Sequence, residues 1–131
     1  MTEDEKNLLL KDLCARLPYG VICEDGYGNV LELNSIDKLN NATFKCSKKI
    51  FWTTDLDKCK PYLFPLSSIE EEKINEFFND LAKLKIKAII NEIDDKKVVE
   101  FEVDWYQKNH VDYRGLIEKG LAIDATGLNI Y

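Results

Sequence analysis

The sequence predicts an α+β fold, and three observations predict it. An acidic, capped, amphipathic helix opens the chain. Residues 19–66 then switch from helical periodicity to alternation, broken by turn residues. From Ser67 onward the apolar spacing returns to that of helices. The expected architecture is an N-terminal helix, a small SH3-like β-barrel over about 19–66 and a helical C-terminal half packed on it. As domains, this reads as helix plus barrel over 1–66 and a mostly helical part over 67–131, together one compact unit.

Thr2 followed by Glu5 is the capping-box spacing. Leu10, Leu13, Cys14 and Leu17 fall at i, i+3, i+4 and i+7, which draws one apolar stripe. Pro18 ends this helix, because the residue before a proline avoids helical geometry.

YGVICE (19–24) reads as a strand and DGYG (25–28) as a glycine-supported turn. NVLELNSI (29–36) is a second strand with Leu31 and Leu33 on one face, and Asn40-Asn41 turns the chain. ATFKC (42–46) alternates, placing Ala42, Phe44 and Cys46 inward and Thr43 and Lys45 outward. IFWTT (50–54) is a fourth strand and DLDKCK (55–60) one helical turn. YLFPL (62–66) follows, which the prolines at 61 and 65 confine to an edge or a short fifth strand. Closing these strands into a barrel would remove their exposed edges.

Ser67 and Ser68 followed by Glu70 and Glu71 signal a second helix start, and Ile74, Phe77, Phe78, Leu81 and Leu84 give it an apolar stripe. Ile86, Ile89, Ile90 and Ile93 either extend that helix on a shifted face or form a separate element. Asp94 to Lys97 is a solvated break. VVEFEVDWYQKNH (98–110) fits both a strand and a helix, with helix favoured toward Trp105. In HVDYRGLIEKGLA (110–122), Asp112 stands as an N-cap, Tyr113–Lys119 as two helical turns and Gly120 as the left-handed stop. Leu121 then falls within reach of Leu116. Gly115 inside so short a helix suggests close packing against another element.

Composition narrows the function. With 45% apolar and 32% charged residues the chain is globular in type rather than disordered. A net charge of −6 argues against a broad nucleic-acid surface. No apolar run reaches the length of a membrane span, and the acidic start does not resemble a secretion signal, so the expected location is the cytoplasm. Cys14, Cys23, Cys46 and Cys59 are irregularly spaced and read as small hydrophobes, with no metal and no cofactor expected. Phosphate-cradling glycine motifs, zinc-helix motifs and calcium loops do not occur in the sequence.

The residues left for binding are Trp52, in an aromatic group with Tyr19, Tyr27, Phe51, Tyr62 and Phe64, and His110, Tyr113 and Arg114. Aromatic rims of small barrels bind peptides or nucleic acid, although packing is the commoner use of such residues. His110, with Asp112 beside it, has no sequence-local nucleophile or metal partner. Arg114 is expected to pair with an acid of the preceding segment or to face a partner.

LLLKDLCARLPYGV (8–21), KPYLFPLSS (60–68) and HVDYRGLIEKGLAIDATGLNIY (110–131) resemble an uncharacterised family of small proteins frequent in Bacteroidales and in their prophages and mobile elements. The resemblance covers both ends of the chain and the end of the strand-rich part, but not about 70–104. It implies a bacterial or phage cytoplasmic protein and carries over no catalytic residue. The expected function is a non-enzymatic, protein-binding accessory protein of a prophage or mobile element. Two alternatives stand beside it: a small enzyme or nucleotide binder built around His110, Asp112 and Arg114, and an acidic inhibitor that covers the basic site of a nucleic-acid-binding protein.

Overall fold

The computed structural model describes residues 1–45 and 52–131, and the side chains of Trp52 and Thr53 are not described. Helix α1 (Glu3–Arg16) starts on the expected capping box: Glu5 N–H donates to Thr2 Oγ1 at 3.1 Å, and Thr2 N–H to Glu5 Oε1 at 3.2 Å. It runs into a single 3₁₀ turn, Leu17–Tyr19, with Pro18 at its start. Its buried face differs from the expected stripe. Leu9 and Leu13 enter the core together with Asp12 and Arg16, whereas Cys14 is exposed.

The strands are β1 (Ile22–Glu24), β2 (Val30–Ile36), β3 (Asn41–Phe44), β4 (Trp52–Asp55), β5 (Lys60–Leu63) and β6 (Ile123–Asp124). They form one sheet in the order β4-β3-β2-β1-β5-β6, antiparallel except for the parallel β5–β6 pair. The turns are built locally. Asp25 accepts from Tyr27 N–H at 2.8 Å and from Asn29 N–H at 3.2 Å, and Asp37 repeats the arrangement with Leu39 and Asn41.

The expected barrel is not present. Among the described residues the sheet is open, with β4 and β6 at its edges. Strand β5 pairs with β1 and lies inside the sheet, so Pro61 sits opposite Cys23 in an interior strand rather than at an edge. The parallel pairing with β6 begins one residue later, at Tyr62. The closing edge comes from the C-terminal segment, where alternation is too short to be read: β6 has two residues. An isolated parallel bridge, Phe64–Val111, extends that side, with Phe64 N–H donating to the His110 carbonyl at 2.8 Å and Asp112 N–H to the Phe64 carbonyl at 2.9 Å.

One face of the sheet packs on α1 through Leu9, Leu13, Val21, Cys23, Leu33, Ala42, Phe44, Leu56 and Cys59. A second cluster joins Leu63 to Leu116, Leu121 and Ala122. A third belongs to two helices, α2 (Glu71–Ile89) and α3 (Asp95–Lys108), which form an antiparallel hairpin. Glu70, not Ser67 or Ser68, precedes α2, and its side chain makes no cap. The serines lie in a 3₁₀ turn, where Ser68 donates to the Pro65 carbonyl. The 98–108 stretch is helical throughout. The hairpin turns at Asn91, whose φ of 61° is left-handed, and Glu92 N–H closes the end on Lys87 O at 2.9 Å.

Residues 113–115 are irregular and 116–120 form a turn, not a helix. The capping logic survives without the helix. The Asp112 carboxylate accepts from Leu116 N–H and Ile117 N–H, both at 2.9 Å, and Leu121 N–H reaches Leu116 O at 2.9 Å across the left-handed Gly120. Gly115 is explained by its φ of 73° rather than by close packing, since a Cβ there would meet nothing within 4 Å.

Candidate functional site

Two places hold the charge and apolar surface the sequence leaves unassigned: a buried ionic cluster between α1 and residues 110–114, and the outer face of the α2–α3 hairpin.

The cluster centres on Asp12, which is fully buried on the core face of α1. Arg16, one turn on and equally buried, donates through Nε to Asp12 Oδ2 at 2.8 Å and through Nη2 to the Val111 carbonyl at 2.6 Å. Arg114 Nε lies 3.2 Å from Asp12 Oδ1 as an ion pair without a formed hydrogen bond. Its Nη2 donates to the Tyr113 hydroxyl at 2.9 Å, and Gln107 donates to the same oxygen at 3.1 Å. Both guanidiniums lie over the Tyr113 ring, 5.3 Å (Arg16) and 4.9 Å (Arg114) from its centre. Burial pushes the Asp12 carboxyl up, and the charges of Arg16 and Arg114 oppose that rise.

Arg114 thus has an acid partner, as expected of it, but the acid comes from α1 and not from the preceding segment. Sequence reasoning misses Arg16. Its signal is an Asp and an Arg four apart on the same face as Leu9 and Leu13, where a charge pair is out of place.

His110 is held differently. Its ring stacks on that of Tyr131 with centres 3.6 Å apart, and its backbone is left-handed at φ 58°. Nδ1 is buried without a hydrogen bond. Burial, helped by the positive charges of Arg16 and Lys73, pulls its pKa down to about 4. Tyr131 in turn accepts from Ile22 N–H at 3.0 Å and donates to the Tyr62 carbonyl at 2.7 Å, bridging β1 and β5.

His110, Asp112 and Arg114 therefore do not converge. Asp112 caps a turn, Arg114 faces Asp12, and His110 lies under Tyr131. Tyr113 is the aromatic floor of the ionic cluster and stacks on Tyr106 at 5.4 Å. Trp52 has its backbone in β4 opposite Phe44, and its side chain lies outside the described residues, as do Phe51 and Cys46. Cys23 and Cys59 are buried free thiols. Burial pushes Cys59 up to about 12 and Cys23 well up, so neither ionises at neutral pH. Among the described residues no three His, Cys, Asp or Glu side chains gather as metal ligands, and no helix is long and apolar enough to cross a membrane.

The aromatic residues that matter lie in the hairpin. Phe77 stacks on Trp105 at 4.1 Å and on Phe101 at 5.8 Å, with Tyr106 edge-on at 5.6 Å. The buried stripe of α2 is Phe77, Leu81, Leu84 and Ala88. One residue further along at each step lies a second stripe, Phe78, Ala82, Lys85 and Ile89, rotated by about 100° and exposed. Ile86 and Ile90 widen it. Phe78 is 44% exposed, Ile86 59%, Ile89 78% and Ile90 57%. The isoleucines at 86, 89 and 90 thus continue the helix on a shifted face, and that face is not covered by the rest of the described chain. Surface hollows lie elsewhere. One of about 300 Å³ between the hairpin helices is lined by Phe77, Phe101, Trp105, Lys73, Asp80 and Lys108 among others. One of about 260 Å³ between α1 and the β3–β4 end of the sheet is lined by Lys6, Leu9, Leu39 and Asp57 among others.

No protein-family model, curated protein or solved structure matches the chain.

Proposed function

We propose that this is a non-catalytic, protein-binding accessory protein that presents its α2–α3 hairpin to a partner. One observation carries the reading: Phe78, Ile86, Ile89 and Ile90 stand exposed together on α2 while the same helix already buries a separate stripe against α3. A second apolar stripe on a helix that has satisfied its own packing costs solubility unless something covers it. The ionic cluster supports the reading from the other side, because Asp12 and Arg16 lie fully buried and fasten α1 to the C-terminal segment. The resemblance of both chain ends to small proteins of bacterial mobile elements supports an accessory role there.

The test compares the wild-type chain with a Phe78→Asp/Ile86→Asp variant as baits in affinity capture from a host extract. A protein partner, either a host protein or an untagged copy of this chain added to the extract, bound by the wild type and lost from the variant is the expected result. Equal capture by both, or a metabolite bound by the purified protein and turned over, would overturn the reading.

A further inference from the structure

We infer that the occupant of the exposed α2 face is a second copy of this chain, packed antiparallel about a two-fold axis near Ala82; this rests on the protein-binding reading above. The argument starts from what such an interface demands. In an isologous contact, residue i meets residue j and j meets i, so the surface must complement itself. The α2 face meets that demand in shape and in charge.

Ala82 is the small residue in the middle of the exposed stripe, and Phe78 and Ile86 flank it four residues to either side. With two helices crossed antiparallel at Ala82, the alanines permit close approach at the axis. Phe78 of each copy then meets Ile86 of the other. The stripe from Phe78 to Ile89 spans about 17 Å of helix, enough for two full rows of such contacts.

The charges divide at the same point. Residues 70–80 carry Glu70, Glu71, Glu72, Glu76 and Asp80 against Lys73 alone; residues 81–90 carry Lys83, Lys85 and Lys87 and no acid. All six of the charged side chains Glu71, Glu72, Glu76, Lys83, Lys85 and Lys87 are exposed. Antiparallel packing sets the acidic half of each copy against the basic half of the other, and parallel packing would set like against like. Complementary halves steer and orient the encounter, and the apolar row supplies the contact energy.

Sedimentation equilibrium of the full chain tests this. The wild type is expected at twice the monomer mass, with dissociation increased by salt. Phe78→Asp/Ile86→Asp should weaken self-association by at least about tenfold with an unchanged helical circular-dichroism spectrum. A triple Lys83→Glu/Lys85→Glu/Lys87→Glu chain and a triple Glu71→Lys/Glu72→Lys/Glu76→Lys chain should each be monomeric, and a one-to-one mixture of the two should dimerise. A wild type that stays monomeric at every concentration overturns the inference, as does a dimer that survives Phe78→Asp/Ile86→Asp or a mixture that does not associate. If the wild type is monomeric yet captures another protein that the Phe78→Asp/Ile86→Asp variant loses, the self-association inference fails and the protein-binding reading stands. If capture is also insensitive to that variant, both fail.

Discussion

Arg16 donates to Asp12 at 2.8 Å with both side chains fully buried, one turn apart on the core face of α1. An ion pair in that position is costly to desolvate and still more costly to break. Arg114 and the Val111 carbonyl make it a fastening between the first helix and the C-terminal segment, which are adjacent in space and about a hundred residues apart in sequence.

Asp12→Ala should destabilise the fold by about 3–5 kcal/mol in urea titrations, because it leaves the Arg16 charge buried without its carboxylate. Arg114→Ala should cost less, about 1–2 kcal/mol, since its side chain keeps 19% exposure and its ion pair is longer. Replacing both buried partners with apolar residues, Asp12→Leu/Arg16→Met, should recover much of the loss. A change below about 1 kcal/mol for Asp12→Ala would show that the pair does not hold α1 in place.

The buried His110 makes stability depend on pH. Its folded pKa, about 4, lies below the ordinary 6.5. Between those values the unfolded chain binds the proton and the folded chain does not. Stability from this group is therefore fully present above 6.5 and is lost as pH falls toward 4. The full shift corresponds to about 3 kcal/mol, and partial solvent contact of the ring reduces this to about 2. His110→Asn keeps a residue that tolerates the left-handed backbone and removes the titration. The drop in wild-type stability from pH 7 to pH 4.5 should shrink by about that amount in the variant. Equal drops in the two proteins would place the ring in solvent.

Two glycines separate backbone conformation from crowding. Gly115→Ala meets no atom within 4 Å, so it should cost only the left-handed backbone, about 1 kcal/mol. Gly26 has a similar φ of 89°, but a Cβ there would lie 2.9 Å from the Lys58 carbonyl oxygen. Gly26→Ala should therefore cost clearly more in thermal melts. Gly115→Asn should be milder than Gly115→Ala. Equal losses at positions 115 and 26 would mean that the contact with Lys58 yields easily.

Neighbouring phenylalanines on α2 should behave oppositely. Phe77 is 2% exposed and stacked on Trp105, so Phe77→Ala should cost about 3–5 kcal/mol and change Trp105 fluorescence. Phe78, 44% exposed, should cost under about 1 kcal/mol in a dilute, dissociated sample. A large loss for Phe78 under those conditions would mean that its ring is covered within one chain.

The candidate surface is partly legible in the residues alone. Helical spacing puts Ile86, Ile89 and Ile90 on a shifted face, but periodicity does not say which of two adjacent stripes on one helix finds a partner. Phe77 and Phe78 belong to a single stripe by spacing and take opposite roles in the fold. Of the residues that composition and motifs leave for binding, Tyr113 and Arg114 join in the buried ionic cluster, whereas His110 is held apart under Tyr131.

What the sequence by itself determined is the local structure: the Thr2 cap, the turn at 25–28, a turn just ahead of Asn41, the Asp112 cap with Leu116 and Leu121, and the helical run through Phe77, Leu81 and Leu84. Each depends on side chains and backbone a few residues apart, so its signal lies within a short window. Tertiary structure alone decided that the sheet stays open, that β5 joins β1, that β6 arrives from the C-terminal segment and that Asp12 meets two arginines. Strand pairing is made by backbone groups that every residue but proline carries alike, so the order of strands leaves little trace in the residues that form them. A buried ion pair joins partners that no local period relates, and only the folded chain brings Arg114 to Asp12.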